Sequence, residues 1–279
     1  MNSPDLNTRR IVRTIGPARA ESTKESEARS QYDSWRRDVV SRLVERHGDP
    51  SDLGGRWRGR PYAHVLREDR RQANLLPGVR PEDLSGIDLH PGFGHLNSSQ
   101  AMCINFFAPL RRRPGALRGL LGRIAGEDAG EVSFSEFEHA PDGPKRTHHD
   151  FFVETKSGLR FFFEVKFTEN GFGGIHARSR SSWPFWRLKL GSSLNLRDLS
   201  ADEFFSEYQI YRVVADIQTD KDHAVFLYPS DNPSLRLPDR VLHSTGVHIV
   251  DWNDAVAWTG SRDFARKYAL LGASNPPCP

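Results

Sequence analysis

The chain has 279 residues, of which 37% are hydrophobic and 27% charged, and its formal net charge is +3. This composition is typical of a folded globular protein rather than a disordered one, and no stretch approaches the roughly 18 apolar residues that a membrane-spanning helix needs. The first 20 residues lack the apolar core of a secretory signal, and the two cysteines, Cys103 and Cys278, can build neither a disulfide framework nor a zinc knuckle. We therefore expect a cytoplasmic protein without a membrane anchor.

The N-terminal part of the chain is predicted to hold a tail, a helix and a long irregular stretch. Residues 1–21 are polar and without period, and they are expected to be disordered. Ser22 and Glu25 match a capping box, and apolar residues then recur at helical spacing until Gly48. Residues 49–95 are rich in Gly, Pro, Arg and Asp, which predicts loops with a helical turn or two.

The middle of the chain changes from helical periodicity to strand periodicity. Residues 97–99 are good N-cap residues, and the apolar segment that follows predicts a buried helix ending near Pro109. Three segments then alternate between apolar and polar residues, at 131–140, 147–155 and 159–169. The last two are predicted to form a hairpin, because a glycine suited to positive φ ends the three-residue loop between them.

The second half of the chain predicts a helix, two strands and a last helix. Ser200 and Glu203 form a capping box ahead of an apolar stripe, and strands are expected at 223–229 and 247–252, with a helix over 254–271. A hairpin-led meander followed by a helical crossover predicts an α/β protein with a mixed sheet and helices on its faces.

The strand over 159–169 places opposite kinds of side chain on its two faces, because successive side chains in a strand alternate. One face is apolar and consists of Phe161, Phe163, Val165 and Phe167. Glu164 and Lys166 share the other face with Phe162. A carboxylate and an ammonium group therefore lie two residues apart on one side of a strongly apolar strand.

The hairpin register then predicts a metal site. If residues 156–158 form the loop, Asp150 lies opposite Glu164, with Cβ atoms about 4.5–5.5 Å apart. Two carboxylates at that distance repel each other unless a cation neutralises them, and Mg²⁺ favours one or two carboxylates with phosphate oxygens. Lys166 could stabilise phosphate charge or orient the attacking water. A slip of one residue would move Asp150 to the other face.

These residues resemble the Asp…Glu-x-Lys signature of the PD-(D/E)XK nuclease superfamily, at Asp150, Glu164 and Lys166. The segments HLNSSQAMCINFFAPL and FFEVKFTENGFG resemble a bacterial restriction-endonuclease-like family of that superfamily, over about residues 64–229. The resemblance implies an α/β/α sandwich around a mixed sheet with an αβββαβ core and an extra N-terminal helix. It also implies Mg²⁺-dependent hydrolysis of DNA, with Mn²⁺ as a substitute, Asp150 and Glu164 as metal ligands and Lys166 as the catalytic lysine. His149 stands where the signature has proline.

One nuclease-like domain is expected over residues 22–279. Within it, residues 22–95 would form a helical and loop extension, residues 96–230 the catalytic core, and residues 231–279 a C-terminal strand and helix.

Four further residues are candidates for active-site support. Gln100 begins the first core helix, where it could contact phosphate or only make a capping or core hydrogen bond. Glu138 ends the first strand and is either a further ligand or an exposed strand-end acid. Gln209 and Arg212 share a helix face that either turns toward the active site, where Arg212 would bind phosphate, or is a solvent-facing polar stripe.

Residues 176–189 mix basic and aromatic side chains, a composition that suits nucleic acid because cations neutralise phosphates and flat rings stack on bases. The candidate contacts are Arg178, Arg180, Arg187 and Lys189. The alternative is a solvated basic loop whose aromatic residues belong to the core.

Three functions remain open from the sequence. The first is a DNA endonuclease of a restriction or defence type. The second is a catalytically silent nucleic-acid-binding module on the same fold, and the third is an RNA or repair nuclease of the same superfamily. The sequence also leaves open a homodimer and a cognate methyltransferase as partner.

Overall fold

The computed structural model describes residues 17–141, 148–174, 181–191, 196 and 198–270. The helices are α1 Pro17–Arg46, α2 Ser99–Arg111, α3 Pro114–Ala125, α4 Trp183–Gly191, α5 Ala201–Ser206, α6 Tyr208–Val214, α7 Asp239–Leu242, α8 Trp252–Thr259 and α9 Arg262–Lys267. The strands are β1 Arg56–Trp57, β2 Arg60–Pro61, β3 Val132–His139, β4 His149–Thr155, β5 Arg160–Val165, β6 Asp222–Leu227 and β7 Val247–Val250. No described helix is both long enough and apolar enough to cross a bilayer.

The main sheet has five strands in the order β3-β4-β5-β6-β7. The first three strands are antiparallel, whereas β6 and β7 add in parallel. A parallel neighbour requires a crossover connection, and the segment that contains α4, α5 and α6 supplies it between β5 and β6. The predicted α/β class with a mixed sheet is confirmed, as is the hairpin loop at residues 156–158, where Gly158 has φ 86°.

Helices cover both faces of this sheet, and β5 contributes to two apolar clusters. The predicted apolar face, from Phe161 to Phe167, packs in one cluster with residues of α2, α3, α8 and α9. Phe162 and Phe152 belong to a second cluster with residues of α4, α5, α6 and α7. The alternation of β5 therefore predicted correctly which side chains enter which layer.

The N-terminal prediction needs correction. Helix α1 begins at Pro17 rather than at Ser22, so residues 17–21 are helical and not part of a disordered tail. Proline suits the first turn of a helix because the amide hydrogen that it lacks would have no partner there. Residues 1–16 lie outside the described residues. The stretch 49–95 has the expected short helical turns, which are 3₁₀ helices at Pro50–Asp52, Glu68–Asn74, Pro81–Leu84 and Pro91–Gly94.

Three other element boundaries differ from the prediction. Helix α2 continues through Pro109 to Arg111, and β5 ends at Val165, so Lys166 lies just beyond the strand. The last predicted helix is divided into α8 and α9 at Gly260, whose φ of 64° ends α8. Helix α3 was not predicted, although its apolar residues at Leu117, Leu120, Leu121 and Ile124 have helical spacing and are buried. Its glycines obscured that pattern.

Candidate active site

The pairing of β4 with β5 brings Asp150 next to Glu164. Phe152 lies opposite Phe162, which is the predicted register, and the printed pairs continue to Phe151 and Phe163. Beyond them, the amide of Val165 donates a 2.6 Å hydrogen bond to Oδ2 of Asp150. The Asp150 carboxyl group therefore lies against the β5 backbone at the point where the ladder between the two strands ends.

Glu164 is the centre of a buried ion cluster. Its Oε1 is 2.8 Å from Nζ of Lys166, and its Oε2 is 2.8 Å from Nη2 of Arg212. The residue is only 1% exposed, and its two cationic partners are 7% and 8% exposed. Arg212 also donates through Nη1 to the carbonyl oxygen of His148 at 2.6 Å, which ties α6 to the start of β4.

The members of this cluster stabilise each other in their charged forms. Burial opposes ionisation of Glu164, but the positive charges of Lys166 and Arg212 outweigh it and lower the pKa of the carboxyl group. Burial likewise disfavours the Lys166 ammonium, yet the charge of Glu164 above all keeps the pKa of the lysine above its ordinary value. The site therefore holds a charged lysine at neutral pH.

Asp150 differs from Glu164 in its charge balance. Burial of its carboxyl group, followed by repulsion from Glu164, raises the pKa of Asp150 to about 8, and Lys166 offsets this only in part. The residue as a whole is partly exposed, but its carboxyl group is enclosed by protein, and that enclosure governs its ionisation. Asp150 consequently lacks a sufficient counter-charge.

Gln100 and Glu138 lie around Asp150. All three residues line a small cavity of about 180 Å³, together with Cys103. The side-chain amide of Gln100 donates to Oε1 of Glu138 at 2.9 Å, and its Oε1 accepts from the backbone of His90. Glu138 has φ 52°, a left-handed conformation that residues with a Cβ rarely adopt and that is often retained at functional sites.

The residues present suit a hard divalent cation. Within the described ranges, no group of three or more His, Cys, Asp or Glu side chains is arranged to hold a metal ion. Mg²⁺ does not need such a group, because it commonly binds one or two carboxylates and takes its other ligands from water and phosphate. Asp150 and Glu164 form such a pair, and the uncompensated carboxyl group of Asp150 is the feature that a cation would neutralise.

The other predicted residues lie elsewhere or have other partners. Gln209 lies against Gly173, to which its amide donates. Arg212 contacts Glu164 rather than being free for phosphate, which revises its predicted role. Lys189 binds Oδ1 of Asp216 at 2.5 Å, so its charge is already paired. Arg187 is exposed on α4, whereas Arg178 and Arg180 lie outside the described residues.

Two supporting contacts were not predicted from the sequence. His149 is fully buried, and its Nε2 lies 2.9 Å from Oδ2 of Asp216, so the residue before Asp150 is anchored to the end of α6. The indole of Trp252 donates to the carbonyl oxygen of Lys166 at 3.1 Å and holds the backbone of the lysine. No local pattern identifies these partners, since they are 67 and 86 residues apart in the chain.

One comparison with known proteins gives a match. The model of a family described as "Restriction Endonuclease associating with ARP" matches residues 44–268, a range that contains all five strands of the main sheet and the whole ion cluster. No curated protein and no solved structure matches the chain.

Proposed function

The chain belongs to the family of restriction endonucleases associating with ARP, and on that premise we propose that it is a Mg²⁺-dependent nuclease of the PD-(D/E)XK superfamily that hydrolyses phosphodiester bonds in DNA. The observation that carries the proposal is the cluster of Asp150, Glu164 and Lys166 at the ends of β4 and β5. In the same proposal, the five-stranded sheet and its helices are the α/β/α core of that superfamily, within a single domain.

Asp150 and Glu164 would hold the cation, with Mn²⁺ as a substitute. Bound there, it would polarise a phosphoryl oxygen and offset the negative charge of the transition state. Glu164 can accept a further partner, because a carboxylate offers about four lone-pair positions and two are in use. Asp150 gives up its proton when the cation binds.

Lys166 provides a fixed positive charge beside the scissile phosphate. Its partner Glu164 keeps it charged, and burial makes its charge more effective than it would be in water. Arg212 and Trp252 orient the pair, the first through the Glu164 carboxylate and the second through the Lys166 carbonyl. Little reorganisation is then needed when substrate binds, which is the condition for strong electrostatic catalysis.

A cleavage assay tests the proposed function. Unmodified supercoiled plasmid is incubated with the protein in Mg²⁺, in Mn²⁺ and in EDTA, and single-stranded DNA and structured RNA are tested in parallel. We expect nicked or linear plasmid with either divalent ion and intact plasmid in EDTA. A gel shift in EDTA without cleavage under either ion would instead support the binding module, and cleavage of RNA alone would support an RNA nuclease.

The stability of the metal-free protein should depend on pH through Asp150. Its pKa is about 8 in the folded chain and about 3.9 when unfolded. Between these values the folded state binds more protons, so the free energy of unfolding falls as pH rises, by at most about 1.4 kcal/mol per pH unit, and levels off above pH 8. Asp150→Asn removes this contribution and keeps an oxygen for the Val165 amide.

Urea unfolding in EDTA from pH 5 to 9 measures the difference between wild type and Asp150→Asn. We expect the wild type to lose stability relative to the variant as pH rises to about 8. At pH 8 and above, Mg²⁺ should stabilise the wild type more than the variant, because a ligand that binds only the folded state raises its stability. Parallel pH profiles of the two proteins would show that Asp150 is not strained by its neighbours.

A further inference from the structure

A second and larger cavity, of about 1000 Å³, lies where the end of α1 meets α2 and α9. It shares no lining residue with the cavity at Asp150. Small-molecule sites typically enclose about 300–1,000 Å³ and combine an apolar wall with a few polar groups. This cavity has both the size and the composition of such a site.

The wall of the cavity contains a flat apolar part. Its apolar members include Leu43, Leu76, Phe106, Pro109 and Phe264. The rings of Phe106 and Phe264 have centroids 5.0 Å apart and are held by the core around Trp252. A planar ring of a ligand could pack here without rearrangement of the backbone.

The rim of the cavity is rich in cations. Arg46 and Arg113 line it, and their guanidinium groups donate to backbone carbonyl oxygens of Arg266 and Thr259, which leaves their charge without a carboxylate partner. Arg262 and Lys267 also line it, and the structure gives neither side chain an acidic partner among the described residues. Four positive charges therefore surround one cavity without a matching acid.

The acidic residues of the cavity do not cancel these charges. Asp52 is bound by Arg70 at 2.5 Å and by His47. Asp263 pairs with Arg266 at 3.4 Å, and Asp49 accepts hydrogen bonds from Ser51.

Lys267 is the most enclosed of the four cations. Its Nζ lies 5.8 Å from the centre of the Tyr268 ring, and burial lowers the pKa of its ammonium group to about 8. Tyr268 is fixed behind it, since the side-chain amide of Asn105 donates to its hydroxyl at 2.8 Å. A partly desolvated ammonium without a counter-ion is unfavourable, and a bound anion would remove that cost.

We propose that this cavity binds a nucleoside monophosphate, with the base on the Phe106–Phe264 wall and the phosphate on the cationic rim. Guanidinium groups bind phosphate oxygens in a fork geometry, and arginine is the most frequent cation of this rim. The site is separate from the proposed catalytic cluster and does not depend on nuclease activity.

Isothermal titration with adenosine 5′-monophosphate in EDTA tests the proposal, since EDTA prevents occupation of a metal site. The double variant Arg262→Gln/Lys267→Gln removes two cations that have no structural partner. Arg236→Gln is the control, because Arg236 is exposed outside the cavity. Adenosine and inorganic phosphate, titrated separately, test the two halves of the ligand.

We expect one molecule of adenosine monophosphate per chain, binding roughly tenfold or more weaker in the double variant and unchanged in the control. Adenosine and phosphate alone should each bind more weakly than the whole nucleotide. Absence of binding at millimolar ligand would overturn the proposal, as would equal affinity in the double variant. Loss of binding in Lys166→Met, with the double variant unaffected, would place the nucleotide at the catalytic cluster instead.

Discussion

Lys166→Met is expected to reduce DNA cleavage by about 100- to 1,000-fold while DNA binding in EDTA is largely retained. The substitution keeps the apolar stem and removes only the ammonium group, which lies 2.8 Å from Glu164. Glu164 retains Arg212 as a partner, so no buried charge is left alone and the fold should persist. The loss therefore reports on the positive charge at the site and not on misfolding.

Lys156→Met is the matched control for that experiment. Lys156 lies in the hairpin loop between β4 and β5, is exposed, and pairs with Glu131 on the surface. Exposed ion pairs contribute about 0–1 kcal/mol, so this variant should cut DNA at the wild-type rate. Lys166→Met protein that melts like the wild type and still cleaves at a near-normal rate would exclude the lysine from catalysis.

Arg212→Met is expected to lower the free energy of unfolding by about 3–5 kcal/mol, as removal of one partner of a buried ion pair does. The substitution leaves Oε2 of Glu164 without its partner and the His148 carbonyl without its donor. Cleavage should fall as well, because Glu164 loses the contact that orients it. Chemical unfolding in EDTA, combined with the plasmid assay, measures both effects.

A conservative variant and a double variant separate charge from geometry at this position. Arg212→Lys keeps the charge but cannot bridge Glu164 and His148 with a planar fork, so it should lie between wild type and Arg212→Met in stability. Adding Glu164→Gln to Arg212→Met should recover part of the stability, since the buried carboxylate no longer lacks a partner.

Arg187→Met provides a surface comparison for Arg212→Met. Arg187 is exposed on α4, and substitutions of that kind usually change stability by about 0.5 kcal/mol or less. If Arg212→Met were as stable as Arg187→Met, the Glu164–Arg212 contact would not contribute to the fold, and Arg212 would be available for phosphate.

Local sequence patterns determined the sheet and the core of the candidate site. Alternation in β5 separated Phe161 and Phe163 from Glu164, and the packing follows that separation. The three-residue loop that ends in Gly158 determined the register of β4 and β5, and with it the approach of Asp150 to Glu164. These features are predictable because side-chain direction and hairpin pairing depend on residues only a few positions apart.

Only the tertiary structure decided which partners the charged residues have. Arg212, expected to contact phosphate, binds a glutamate 48 residues earlier, and Lys189, expected to contact nucleic acid, is paired with Asp216. The anchoring of His149 and the nucleotide-sized cavity beside α9 likewise arise where distant segments pack together. Periodicity identifies the face on which a residue lies, but the partner on that face depends on how whole helices pack against the sheet. That arrangement minimises the free energy of the entire core and leaves no signal in the local sequence.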